Sequence, residues 1–150
     1  MYDHHFEEAD WFLKADDDTY VIMENLRYFL SQQNSTEPVF FGHRFKPRDL
    51  TYPSGGGGYV LSKEALRRYG QNYNRRVCPK DNGPEDLKMG RCMERLGVTL
   101  RPTVDVIGRS RFHSLRVDHF VNGVFPNWLQ EFDMDGAKGV SSHITRVMNR

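Results

Sequence analysis

The sequence has only two cysteines, Cys78 and Cys92. Two is too few for a disulfide scaffold, and no CxxC pair marks a zinc site. If they pair, the short loop they close is worth roughly 3 kcal/mol in the chain-entropy model; otherwise they are two unpaired thiols. An excess of charge of one sign is also missing. Lys and Arg total 21 against 20 Asp and Glu, a net charge of +1. That balance gives no electrostatic case for nucleic acid as the main partner. The local pairs Arg67-Arg68 and Arg75-Arg76 read as solvated helix and loop faces. Long apolar runs are absent as well. A bilayer span needs about 20 consecutive apolar residues, and mean hydropathy is −0.68. No apolar leader opens the chain, since Met1 is followed by Tyr2-Asp3-His4-His5. The expectation is a cytosolic protein or a piece of a longer one.

The material for a core is present. The chain has 150 residues, 38% hydrophobic and 13% aromatic, which suits one domain. Ala9 to Ala15 reads as a short, mostly buried strand. Thr19 to Leu30 places Val21, Ile22, Leu26, Phe29 and Leu30 on one helical face. Val39-Phe40-Phe41 is a second strand, closed by Gly42. Tyr59-Val60-Leu61 is a third. Ser62 is a credible N-cap for a helix to about Tyr69, with Glu64 in its first turn. Glu85 to Leu96 reads as another helix, ended by Gly97. Val98 to Val106 is expected to be extended, and the pattern is weak beyond about Asn127. Strands alternating with helices predict an α/β fold.

Four groups of residues carry candidate chemistry. Asp16-Asp17-Asp18 follows the first strand. In an extended segment Asp16 and Asp18 project to the same side, and paired carboxylates suit a hard divalent cation. Spacing alone leaves a second reading open, a loop or helix start whose carboxylates complement a dipole. Ser54 to Tyr59 holds a run of glycines, which lets backbone approach a ligand closely or makes a flexible turn. It is no P-loop, because no Gly-Lys-Ser/Thr follows. Pro84-Glu85-Asp86 opens a helix, as caps or as a general base. Phe112-His113 supplies a possible ligand or a structural histidine. Separately, Asn34-Ser35-Thr36 fits the N-glycosylation acceptor pattern.

Read together, these segments resemble the fringe-like β1,3-glycosyltransferases. Trp11-Phe12-Leu13-Lys14-Ala15-Asp16-Asp17-Asp18-Thr19-Tyr20-Val21 is similar to that family's metal-site strand. Glu37-Pro38 through Phe41-Gly42 and Arg44-Phe45-Lys46-Pro47 continue the match. So do Ser54-Gly55-Gly56, Gly58 to Leu66, Glu85-Asp86-Leu87 with Gly90-Arg91-Cys92, and Phe112-His113. The resemblance covers roughly Tyr2 to Pro126 and leaves residues 127–150 as a divergent tail. It implies a glycosyltransferase-A (Rossmann-like nucleotide-sugar) fold whose N-terminal nucleotide-binding part is largely missing from this sequence. It implies inverting transfer of galactose from UDP-galactose to the 3-hydroxyl of GalNAc on Ser or Thr, with Mn²⁺. By the match, Asp16 and Asp18 belong to the metal motif, Asp18 the closer candidate for direct ligation, and His113 is the third ligand, with His143 a rival. Asp86 falls at the catalytic base, with Glu85 beside it. Tyr52, Gly55, Gly56, Gly58 and Tyr59 are candidate substrate contacts, the two tyrosines as stacking faces. The implied partners are the UDP-sugar, a GalNAc-bearing glycoprotein and a second copy of the chain.

The sequence departs from the family at the front, where an anchor, a stem and several βα units would stand, and at its tail. Pro53 and Gly57 replace the expected residues beside the glycine motif. With the anchor restored, the implied location is the Golgi lumen, as a type II membrane protein. There a Cys78–Cys92 bridge and a glycosylated Asn34 are expected. The competing expectation is a non-catalytic fragment or a chaperone-like relative. Missing βα units would also leave strands meant to be central as exposed edges.

Overall fold

The computed structural model describes residues 1–72, 77–78 and 82–136. In chain order its elements are α1 (Tyr2–His5), β1 (Trp11–Lys14), α2 (Met23–Ser31), β2 (Val39–Gly42), β3 (Arg44–Phe45), β4 (Tyr52–Pro53), β5 (Tyr59–Ser62), α3 (Lys63–Asn72), α4 (Glu85–Arg95), β6 (Thr99–Arg101), α5 (Val117–Asn122) and α6 (Leu129–Phe132). Single 3-10 turns cover Phe6–Glu8 and Gly55–Gly57. The main sheet has the order β1-β5-β2-β6. β5 runs antiparallel to both neighbours, while β2 and β6 are parallel, so the sheet is mixed. β3 and β4 form a separate hairpin.

Side-chain alternation along the strands makes both faces of this sheet apolar. Phe12, Phe40, Tyr59 and Leu61 face one way and pack with Ala65 and Leu66 of α3, Met93 of α4 and Val98. Val39, Phe41 and Val60 face the other way, against Phe29 and Leu30 of α2 and against Phe112. The register carries the division across strands, with Leu61 opposite both Phe12 and Phe40 and Val60 opposite both Leu13 and Phe41. Helices therefore cover both faces, as the α/β expectation required. A third cluster, Phe45, Phe120 and Leu129, lies beneath the small hairpin.

Local chemistry sets the helix ends. Ser62 Oγ accepts the N–H of Ala65 at 3.0 Å and donates to the carbonyl of Glu37 at 2.6 Å. One fully buried hydroxyl thus caps α3 and fixes the chain entering β2. Gly97, at φ +64°, ends α4. The Val98 N–H reaches the Met93 carbonyl at 2.9 Å and the Gly97 N–H that of Glu94 at 3.1 Å, the Schellman pattern. Cys78 is disulfide-bonded to Cys92 on α4.

Three expectations change. The helix starts at Met23 rather than Thr19, because Thr19 is taken up in a turn with Asp16. Only Thr99–Arg101 of the stretch to Val106 is a strand. Pro102, just beyond, has no N–H to extend the ladder. Within the described part of the tail, up to Gly136, the chain is structured, since α6 sinks Leu129 to 0% exposure.

Glu64 opens α3 and is gripped by Arg67 Nε at 2.6 Å and Arg68 Nε at 2.8 Å. The Arg67 hydrogen bond foremost, with Arg68 added, lowers its pKa from the usual 4.5 to about 2. A lowered carboxylate stabilises the fold fully above its unfolded value and loses that contribution as pH falls through the folded value. The Tm difference between wild type and Glu64→Gln should therefore be largest above pH 4.5 and vanish towards pH 2. A difference constant across that window would contradict the assignment.

Candidate active site around the glycine run

The pairings Lys14↔Tyr59 and Gly42↔Tyr59 bring the ends of β1 and β2 together with the start of β5. The loop after β1 carries Asp16 to Asp18, and the loop before β5 is the glycine run. Both therefore sit at one end of the sheet. Gly58 has φ +68°, and a Cβ there would lie 3.1 Å from the Lys14 carbonyl oxygen. Only glycine meets both demands.

Three segments touch this run. The first is the start of α4. Asp86 Oδ2 accepts the Gly55 N–H at 2.9 Å, while its Oδ1 accepts the Leu87 N–H at 2.7 Å. The second is the acidic segment. Thr19 Oγ1 donates to the Gly56 carbonyl at 3.4 Å. The third is the segment holding His113. A Cβ on Gly57 would lie 3.1 Å from the His113 carbonyl oxygen, and one on Gly56 3.2 Å from that of Ser114. The glycine run is the shared floor of these candidates.

The acidic segment is a turn, not an extended continuation of β1. The Thr19 N–H donates to the Asp16 carbonyl at 3.1 Å, and the Asp16 N–H to Thr19 Oγ1 at 3.1 Å. Strand alternation therefore does not describe how Asp16 and Asp18 are placed. Asp16 pairs with Lys14 Nζ at 2.5 Å, and the same ammonium lies 3.5 Å from Glu85 Oε2. Burial by itself would lower the Lys14 pKa. The Asp16 hydrogen bond and the Glu85 charge outweigh that and hold it above its usual value. Asp18 is exposed and makes no hydrogen bond or ion pair among the described residues.

Tyr59 differs from its expected role. Its ring is 1% exposed and cannot serve as a stacking face for a sugar. Its hydroxyl instead donates to Glu85 Oε1 at 2.6 Å. Burial first, then that hydrogen bond, pushes its pKa well up. Tyr52 is half-buried, with its ring edge-on to Phe45 and its Cβ against α4 at Gly90. Burial and the Asp86 charge raise its pKa.

His113 packs edge-on to Phe120 at 4.7 Å, and its buried Nδ1 has no hydrogen-bond partner. Burial, helped by the neighbouring His43, lowers its pKa and favours the neutral imidazole that a metal requires. An orphaned imidazole nitrogen and an unpaired exposed carboxylate are donors that suit a divalent cation. Among the described residues no group of three or more His, Cys, Asp or Glu side chains gathers into a shell. His143 lies outside the described residues.

A buried chain of polar groups behind the site escaped the sequence reading. His43, fully buried, faces Ser114 Oγ with Nδ1 at 2.8 Å and Asp133 Oδ1 with Nε2 at 2.9 Å. The Ser114 N–H also points at Nδ1, at 3.3 Å. The ring therefore accepts at Nδ1 and donates from Nε2. Next to it, Arg44 is held by Asp135, with Nε to Oδ1 at 2.8 Å. No spacing rule joins positions 43, 114 and 133. The only hint was a pair of aspartates in an apolar, aromatic tail.

The Fringe-like family model matches residues 1–124, and the chain belongs to that family. It is 43% identical over 123 residues to the glycoprotein-N-acetylgalactosamine 3-beta-galactosyltransferase 1 of Xenopus laevis, covering 81% of this chain and 34% of that protein. It is 36% identical over 99 residues to a beta-1,3-glucosyltransferase of Mus musculus, covering 63% of this chain and 20% of that protein. It is 31% identical over 111 residues to the chondroitin sulfate synthase 3 of Homo sapiens, covering 66% of this chain and 12% of that protein. The chain thus spans about a third or less of the length of these relatives.

Asp133 Oδ1 also accepts the N–H groups of Asp135 and Gly136. Asp133→Ala should leave the buried His43 donor unmatched, at a cost of about 1–3 kcal/mol. The urea midpoint should fall accordingly. An unchanged midpoint would show that the His43 contact contributes nothing.

Proposed function

We propose that this chain is part of the catalytic domain of an inverting, metal-dependent β1,3-galactosyltransferase of glycosyltransferase-A fold. In this reading it moves galactose from UDP-galactose to the 3-hydroxyl of GalNAc on Ser or Thr of glycoproteins, in the Golgi lumen. The observation that carries the reading is the contact of Asp86, the Asp16–Thr19 turn and the His113 segment with one glycine run. Its support from outside the chain is the likeness to a galactosyltransferase over 81% of its residues.

The roles follow from the chemistry. Direct displacement with inversion needs one base for the acceptor hydroxyl. Asp86 supplies an acceptor-only carboxylate pinned on both oxygens by backbone N–H groups, so its position is set before the acceptor arrives. Asp16 and Asp18 would hold Mn²⁺, with His113 as a further ligand. When bound, the cation would neutralise the charge growing on the leaving diphosphate. Such ions take one or two carboxylates and complete their shell with substrate phosphates, so a small protein donor set suffices. Lys14 bridges Asp16 and Glu85 and so keeps the acidic turn beside the helix that carries the base. The bare backbone of Gly55 and Gly56 leaves room for a sugar to lie close.

The test uses the full-length gene product with UDP-galactose, Mn²⁺ and a GalNAc-threonine peptide. Asp86→Asn should lower kcat about 10²–10⁴-fold with KM for the donor little changed. No transfer by the wild type, together with co-purification of another, active transferase, would replace this reading with that of a non-catalytic, chaperone-like relative.

A further inference from the structure

We propose that Asn34 carries an N-linked glycan, placed at the end of the sheet opposite the glycine run. This inference does not rest on the transfer activity proposed above. Asn34-Ser35-Thr36 satisfies the acceptor pattern, and the structure arranges it for reaction. Asn34 and Thr36 are both exposed, in the loop between α2 and β2. The Thr36 N–H and hydroxyl both donate to Asn34 Oδ1, at 3.0 and 2.8 Å. The amide oxygen is thus engaged twice, while the amide nitrogen makes no hydrogen bond among the described residues. The Cys78–Cys92 disulfide is a separate observation and points to an oxidising compartment, where such acceptors meet their donor.

In the modification the Asn34 amide nitrogen bonds to the anomeric carbon of an oligosaccharide carried on a lipid diphosphate. The bond from that carbon to the diphosphate oxygen breaks, and the diphosphate leaves with the electron pair. One amide proton passes to a base of the modifying enzyme.

The loop is anchored, so the location of the glycan is defined. Ser35 accepts the Glu64 N–H at 3.2 Å, and Glu37 accepts the Ser62 hydroxyl at 2.6 Å. Both contacts lie where β5 ends and α3 begins. The glycine run lies at the other end of β5, next to Tyr59 and Gly42. A glycan on Asn34 therefore stands clear of Asp86 and the acidic turn.

The full-length gene product, expressed in a eukaryotic secretory cell, provides the test. Peptide-N-glycosidase treatment should convert Asn34 to Asp in the peptide that contains it, read by mass spectrometry, with a matching gain in gel mobility. Asn34→Gln and Thr36→Ala should each abolish that shift, and Thr36→Ser should preserve it. An unmodified Asn34 peptide in a sample whose Cys78–Cys92 bridge is intact would overturn the proposal. So would an unmodified Asn34 peptide in a sample with both thiols reduced.

Discussion

Gly58 sits at φ +68° with the Lys14 carbonyl 3.1 Å from where a side chain would begin, and the rest of the site depends on that contact. It presses the glycine run onto the end of β1, the strand that delivers the acidic turn. It also leads directly into β5, whose antiparallel pairing with β1 and β2 builds the middle of the sheet. Asp86 binds the first amide of the run, and the His113 segment packs against its middle. A side chain at Gly56, Gly57 or Gly58 would press on the backbone of the segments that meet there.

The core serves the same purpose. β5 is short but covered on both faces, with Tyr59 and Leu61 on one and Val60 on the other. Burying such side chains contributes about 1.5–3 kcal/mol each, so the strand that starts at the site is also among the most firmly held. Tyr59 links the two roles. Its ring is core, and its hydroxyl fixes Glu85 at the start of α4. Behind the site, the tail contributes through Asp133 and Asp135, which hold His43 and Arg44 just after β2.

What was legible in the sequence was local. Ser62 starts its helix and Gly97 ends another by rules that span a few residues, and both behave so here. The acidic run, the glycine run and Glu85-Asp86 were visible as short linear motifs, and the structure brings them to one end of the sheet. Long-range pairing was not legible. The His43–Ser114–Asp133 chain joins three loops that no periodicity connects. The turn that delays the start of α2 also brings Thr19 to the Gly56 carbonyl, a partner distant in sequence. Tyr59 was misplaced because alternation in a four-residue strand covered on both faces does not tell a wet ring from a dry one. The place of α6 in the core depended on Phe45 and Phe120, which only the fold brings to Leu129.

The central claim is that the acidic turn and the glycine run form one site for a nucleotide diphosphate and its cation. Calorimetric titration of the full-length gene product with UDP, with and without Mn²⁺, tests it most directly. The account predicts that UDP binds tightly only with Mn²⁺ present, and that Asp18→Asn removes the binding while Tm stays unchanged. UDP binding indifferent to both Mn²⁺ and Asp18 would contradict it.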